Sequence, residues 1–229
     1  LVRWFWCGIL GELYGGSIET RFVRDLEQVP NWALGREDAQ TPNTINDATF
    51  VESRLHSLRT RNAAAYKGIY ALLLNNGARD WMQDLQLDKV QYASLAVDIH
   101  HIFPKKWCNE NGVDDEHRES IVNKTAISAV TNRTIGGAAP SKYMAALQEK
   151  AQISAEHLDA LLASHLVPAD ELRTNDFDGF FIGRREALCQ LVEAAMGKAV
   201  PRDIDRGEAE EDSSQFETAQ LQDSPSEPA

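Results

Sequence analysis

The residues of this chain best suited to chemistry fall in one stretch. Asp98-Ile99-His100-His101-Ile102-Phe103-Pro104 is followed by Asn123-Lys124-Thr125 and, nine residues after Asn123, by Asn132-Arg133. A neutral imidazole can hold a divalent metal, while a second imidazole, titrating near neutral pH, can take a proton from water. Two such groups with an amide oxygen make a minimal hydrolytic site. Alternation along a strand turns neighbouring residues to opposite faces. The chain must therefore break or bend near His101 if both histidines serve one site, and Pro104 marks a place for it. In a regular strand Asp98 and His100 share a face instead, which leaves Asp98 two open roles: orienting a histidine from behind, or making a hydrogen bond at the strand start.

Such residues need elements to hold them. Val90, Tyr92, Leu95, Val97 and Ile99 read as extended chain ending at the histidines, and a second apolar run lies around Ile121-Val122 and Ala126-Ile127. The polar stretch from Asn109 to Ser120 connects the two, and Val130 to Ile135 is expected to form a helical turn carrying Asn132. Before this unit, Trp4, Ile9, Leu10 and Leu13 suit one side of a helix ending near Gly15-Gly16. A second helix capped at Ser17 is expected to turn Phe22, Val23 and Leu26 inward and to stop before Pro30. Residues 35 to 50 read as loop. A helix over about Asn62 to Leu74 presents Ala63, Tyr66, Ile69, Tyr70, Leu73 and Leu74 as its apolar face. After the unit, helices are expected from Pro140 to Leu147, from Ala155 to Leu166 behind a Ser154 cap, and from Phe180 to Ala199. The fold expected is α+β, mainly helical. Its regions are 1–89 (helical), 90–150 (strand, strand and helix), 151–202 (helical) and 203–229 (tail).

The runs DIHHIFP and IVNKTAISAVTNRTIGGAAPSKY, with the helix RTRNAAAYKGIYALLL before them, resemble the HNH or ββα-metal nucleases. More particularly, they resemble the C-terminal nuclease region of GmrSD-type modification-dependent restriction enzymes, over most of residues 1–200. The resemblance implies an embedded ββα-metal unit. It implies His101 as general base, His100 and Asn132 as ligands of one divalent metal, and Asn123 as the middle Asn that braces the loop and fixes the base. It also implies double-stranded DNA as substrate, a bacterial cytoplasmic setting in restriction or phage defence, and an N-terminal nucleotide-hydrolysing sensor domain of the same polypeptide as partner. The common form has Asp where His100 stands. A neutral ligand leaves more charge on the metal, which admits manganese or another transition metal beside magnesium. Arg133, Lys124, Lys105 and Lys106 lie beside the site in sequence as contacts for the DNA backbone, and Arg61 and Lys67 join them from the earlier helix, although six apart and not neatly on one face.

Composition limits the alternatives. The chain has 229 residues, 43% hydrophobic and 25% charged, with a net charge of −12, as in ordinary globular domains. Cys7, Cys108 and Cys189 stand alone and far apart, which gives neither a disulfide framework nor a zinc knuckle. No apolar run is long enough to cross a membrane and no leader pattern opens the chain, so no membrane partner is expected. The negative charge speaks against nucleic acid until it is located. Residues 203–229 hold nine acidic residues and one arginine, and read as a disordered tail carrying −8 of the total. Residues 98–150 are balanced, seven basic against seven acidic. Residues 54–79 hold Arg54, Arg59, Arg61, Lys67 and Arg79 with no acid at all. That stretch is either a solvated face or an anion-binding surface. It supports a competing reading, an inactive helical DNA-binding or regulatory module. His117, His157 and His165 read as ordinary polar surface residues, and His56 has no identifiable partner.

Overall fold

Apolar residues at helical spacing, punctuated by Ser and Asp caps, make most of the chain helical in its computed structural model, which describes residues 1–16, 18–87 and 97–204. The expectations for Ser17, for the extended run over Val90, Tyr92 and Leu95, and for the tail beyond 204 lie outside the described residues. Before the strands come α1 (Val2–Leu10), α2 (Ile18–Ala33), α3 (Asn43–Asp47), α4 (Arg54–Ser57) and α5 (Ala64–Asn75). Strand β1 (Asp98–His101) leads through α6 (Lys105–Glu110), α7 (Asp115–Glu119) and a 3-10 turn (Ile121–Asn123) to β2 (Lys124–Ile127). Five helices follow: α8 (Ala129–Ile135), α9 (Pro140–Ala151), α10 (Ala155–Ala163), α11 (Ala169–Thr174) and α12 (Phe177–Met196). The stretch from Asn109 to Ser120, read as a connector, is thus largely helical. Asp114 starts α7 by accepting the Glu116 and His117 amides. Loop 35–50 likewise contains a short helix.

The sheet consists of β1 and β2 paired antiparallel, Asp98 opposite Ile127, Ile99 opposite Ala126, His100 opposite Thr125 and His101 opposite Lys124. One apolar core runs from Cys7 through Tyr70, Trp81, Phe103 and Val122 to Leu188 and Val200, and it passes through all three regions expected between 1 and 202. Helix α1 packs on α12, α5 and α3. Its crossing with α5 is close enough that a Cβ on Gly68 would meet Ile9 at 2.8 Å, so the position requires glycine.

Helix α2 departs from expectation. It runs through Pro30 rather than ending before it, and its buried residues are Asp25 and Val29. Phe22, Val23 and Leu26 are 52%, 56% and 75% exposed, so their inward assignment is corrected. Asp25 accepts the hydroxyls of Tyr14 at 2.6 Å and Thr44 at 2.7 Å, and these bonds turn the polar side of α2 toward the body. Asp203, the first residue of the expected tail, is held to the body, its carboxylate accepting the amide and hydroxyl of Ser53 at 2.8 and 2.6 Å. No helix among the described residues is long and apolar enough to cross a membrane.

Candidate active site

The ribbon of β1 and β2 carries the histidines, and a buried amide holds the chain where β1 ends. Asn123 is fully buried. Its Oδ1 accepts the Phe103 amide at 2.8 Å, and its Nδ2 donates to the carbonyls of Phe103 and Arg118, both at 3.1 Å. Its backbone oxygen accepts the Ile102 amide at 2.9 Å, and the Ile102 oxygen accepts the Tyr143 hydroxyl at 3.0 Å. The two residues after His101 are therefore tied at every polar group they offer. Behind Asn123 lies Arg184 of α12, fully buried, whose guanidinium donates to the carbonyls of Ile121, Val122 and Lys124 at 3.3, 2.5 and 2.8 Å and to that of His165 at 3.2 Å. Burial pulls its pKa down to about 10, still charged near neutrality.

Pairing continues unbroken through His101 opposite Lys124, so the bend expected there does not occur. Alternation then sends His100, with Asp98 and Thr125, to one side of the ribbon and His101, with Ile99 and Lys124, to the other.

His101 is partly buried and meets a carboxylate: its Nε2 lies 3.1 Å from Glu119 Oε2. Glu119 ends α7 and gathers cations, with Lys124 Nζ at 3.0 Å, Arg118 Nε at 3.2 Å and Lys105 Nζ at 3.7 Å. Burial works to raise its pKa, but hydrogen bonds from Lys124 and Arg118 and the charge of His101 hold it at about 2. An ionised Glu119 can only accept, so Nε2 carries the hydrogen and Nδ1 is left as the basic nitrogen. Burial lowers the pKa of His101, and the charge of Glu119 opposes it.

His100 is partly buried and its side chain has no hydrogen-bond partner among the described residues. Burial lowers its pKa, against the pull of Asp98, so the ring is neutral near pH 7. The Asp98 carboxylate accepts the Ile99 amide at 2.8 Å and pairs with Arg61. Asn132 lies in α8, partly buried, also without a side-chain hydrogen bond among the described residues. Helix α8 is fixed at its start by Ser128, whose Oγ accepts the Thr131 amide at 3.2 Å. Asp80, fully buried, accepts the Ser128 amide at 2.8 Å and the Thr131 hydroxyl at 2.6 Å. Among the described residues, no three His, Cys, Asp or Glu side chains gather as a metal set. His100 and Asn132 offer an imidazole nitrogen and an amide oxygen with no hydrogen bond among the described residues, donor types that would suit a divalent ion.

The cations sort differently in space than in sequence. Lys124 is only 8% exposed, and its ammonium is bound to Glu119 and to the Arg59 carbonyl at 3.2 Å, which turns it toward the protein. Lys105 is exposed beside Glu119, Lys106 reaches Glu110 at 3.9 Å, and Arg133 is exposed with no ion pair among the described residues. Arg61 precedes α5, so helical spacing does not separate it from Lys67, and the two line one cleft. The basic stretch is largely neutralised by acids from elsewhere: Arg54 pairs with Glu12, Arg59 with Glu116, Arg61 with Asp98 and Arg79 with Asp84.

His165 is corrected from a surface residue to a buried one, 1% exposed. Its Nε2 donates to the Arg79 carbonyl at 2.7 Å, which leaves Nδ1 to accept the Thr125 hydroxyl at 2.7 Å. His56 has neighbours too, stacking edge-on with His117 and Phe181. Glu119, Arg184, Asp80 and His165 are the residues that sequence reasoning missed. Of these, only Glu119 lies inside the segment that drew notice.

The chain matches no family model and no solved structure. It is 28% identical over 146 residues to the uncharacterized protein MJ0686 of Methanocaldococcus jannaschii, a match covering 62% of this chain and 24% of the relative. The chain thus spans about a quarter of that protein's length.

Proposed function

We propose that this chain is a metal-dependent endonuclease domain of the HNH type, hydrolysing phosphodiester bonds of double-stranded DNA. In this reading it serves bacterial restriction or phage defence alongside an N-terminal nucleotide-hydrolysing sensor domain. The observation that carries the reading is the His101–Glu119 pair at 3.1 Å; His100 and Asn132 add a second imidazole and an amide with no side-chain hydrogen bond among the described residues. An ionised carboxylate on one ring nitrogen fixes the tautomer and makes the other nitrogen a better base. His101 Nδ1 then takes a proton from the attacking water. His100 and Asn132 would hold one divalent ion, magnesium first and manganese or another transition metal next, which supplies a positive centre for the charge developing on the phosphate. Because His100 and His101 leave opposite sides of the ribbon, a phosphate used by both lies off the end of β1 rather than over either face. Asn123 acts as a positioning residue through its hold on residues 102 and 103. Lys105, Lys106 and Arg133, all exposed, would meet DNA backbone, whereas Lys124 supports Glu119.

Supercoiled plasmid incubated with the protein and Mg²⁺ or Mn²⁺ is converted to open-circle or linear form. EDTA stops the reaction, and His101→Ala, His100→Ala and Asn132→Ala each slow it by roughly 10²-fold or more. DNA retained without cleavage in every metal tried would replace this reading with the inactive binding module.

A further inference from the structure

On the α5 side of the ribbon lies a cleft of about 250 Å³. Its floor is the cross-strand pair Ile99 and Ala126, one wall is formed by Tyr66 and Tyr70, and Ala71 stands exposed at its lip. The two tyrosine rings lie edge to face at 5.0 Å. Arg61 and Lys67 also line it, both exposed. Lys67 has no carboxylate partner among the described residues. Arg61, although paired with Asp98, has a guanidinium with more donors than one carboxylate takes up.

We propose that this cleft is a nucleotide subsite, taking one base turned out of the duplex against Ile99, Ala126 and the tyrosine wall and an adjoining phosphate on Lys67 and Arg61. An apolar slot edged by cations selects a flat ring bearing an anion. The volume falls below the roughly 300–1,000 Å³ of clefts that hold larger ligands, so one ring system fits and a stacked base pair does not. Ile99 and His101 point to the same side of β1, two residues and roughly 7 Å apart. A base seated over Ile99 therefore leaves the neighbouring backbone at the His101 end. The choice of ligand rests on the nuclease reading. The test reads binding, so the two can fail separately.

The full chain, labelled with ¹⁵N, is titrated with dAMP and separately with a twelve-nucleotide single strand. Shifts at the amides of Ala71, Ile99 and Ala126 are expected. Ala71→Trp, which fills the lip without touching the core, and Lys67→Glu are each expected to weaken binding at least tenfold while the melting temperature stays within a few degrees. Sensitivity of dAMP alone to these variants assigns the cleft to free nucleotides, and sensitivity of the strand assigns it to nucleotides within DNA. The proposal is overturned if neither ligand binds, if the shifts map elsewhere, or if both variants bind as the parent does. Binding that persists in a protein without nicking activity removes the nuclease reading and leaves the subsite standing.

Discussion

His101 Nε2 and Glu119 Oε2 lie 3.1 Å apart, across 18 residues of chain, and the carboxylate decides which nitrogen of the ring is basic. Replacing Glu119 by Gln removes the charge and admits the other tautomer. Plasmid nicking by Glu119→Gln is expected to fall roughly 10- to 100-fold, and by His101→Ala roughly 10²- to 10⁴-fold. The ¹⁵N shifts of the His101 ring should report mixed tautomers in Glu119→Gln. A parental nicking rate in Glu119→Gln would remove the carboxylate from the mechanism.

Asn123 makes three short side-chain hydrogen bonds in a fully buried setting. Asn123→Ala leaves a donor and two acceptors without partners, and a loss of roughly 2–4 kcal/mol is expected. Asn123→Asp is expected to be worse, since it adds a buried charge and removes both donors. Urea unfolding of the two variants checks the order. An Asp variant more stable than the Ala variant contradicts it.

Arg184 binds four main-chain carbonyls and no carboxylate among the described residues. With Arg184→Leu, oxygens at Ile121, Val122, Lys124 and His165 lose the guanidinium, although that of Ile121 keeps the Lys124 amide, at a cost of about 3 kcal/mol. Arg184→Lys is expected to recover only part of this, because one ammonium cannot reproduce the planar fork. Hydrogen exchange should quicken first around residues 121–124, and unchanged protection there would contradict this account.

Burial holds the pKa of His165 at about 4, below the usual 6.5. Between these values the unfolded chain binds the proton and the folded chain does not, so stability rises with pH across that window. Acidifying from pH 6.5 to 4 is expected to remove on the order of 3 kcal/mol through this residue. Glu119, held at about 2 against a usual 4.5, adds its loss as the pH falls from 4.5 toward 2, where the unfolded carboxylate takes a proton and the folded one does not. Unfolding free energies measured between pH 7 and 3 separate the two windows. A flat profile between 6.5 and 4.5 excludes the His165 contribution.

The segment that carries the candidate residues was legible because uncommon residue types cluster. His100, His101, Asn123 and Asn132 fall within 33 residues, and the turn residues and caps around them mark short elements. The supports were not legible, since their partners are remote. Thr125 meets His165 across 40 residues and Lys124 meets Arg184 across 60. Charge misled in the same way: the acid-free run from Arg54 to Arg79 gains its acids from Glu12, Asp84, Asp98 and Glu116. For α2 the periodicity marked an apolar face correctly, but periodicity does not say whether anything covers it. Here Phe22, Val23 and Leu26 stay exposed.

The hold of Arg184 on residues 121–124 also has a consequence in time. The donor is made 60 residues after the last carbonyl of that turn, and translation at roughly 5–20 residues per second needs about 3–12 s to reach it. For most of that interval, once Asn132 has been added, a nascent chain has both histidines, both asparagines and the ribbon's partner strand, yet lacks the guanidinium that binds the connection between them. The backbone that carries the candidate residues is thus completed by the last helix to leave the ribosome among those described. A chain broken off before α12 carries every candidate reactive group without the means to hold them in place.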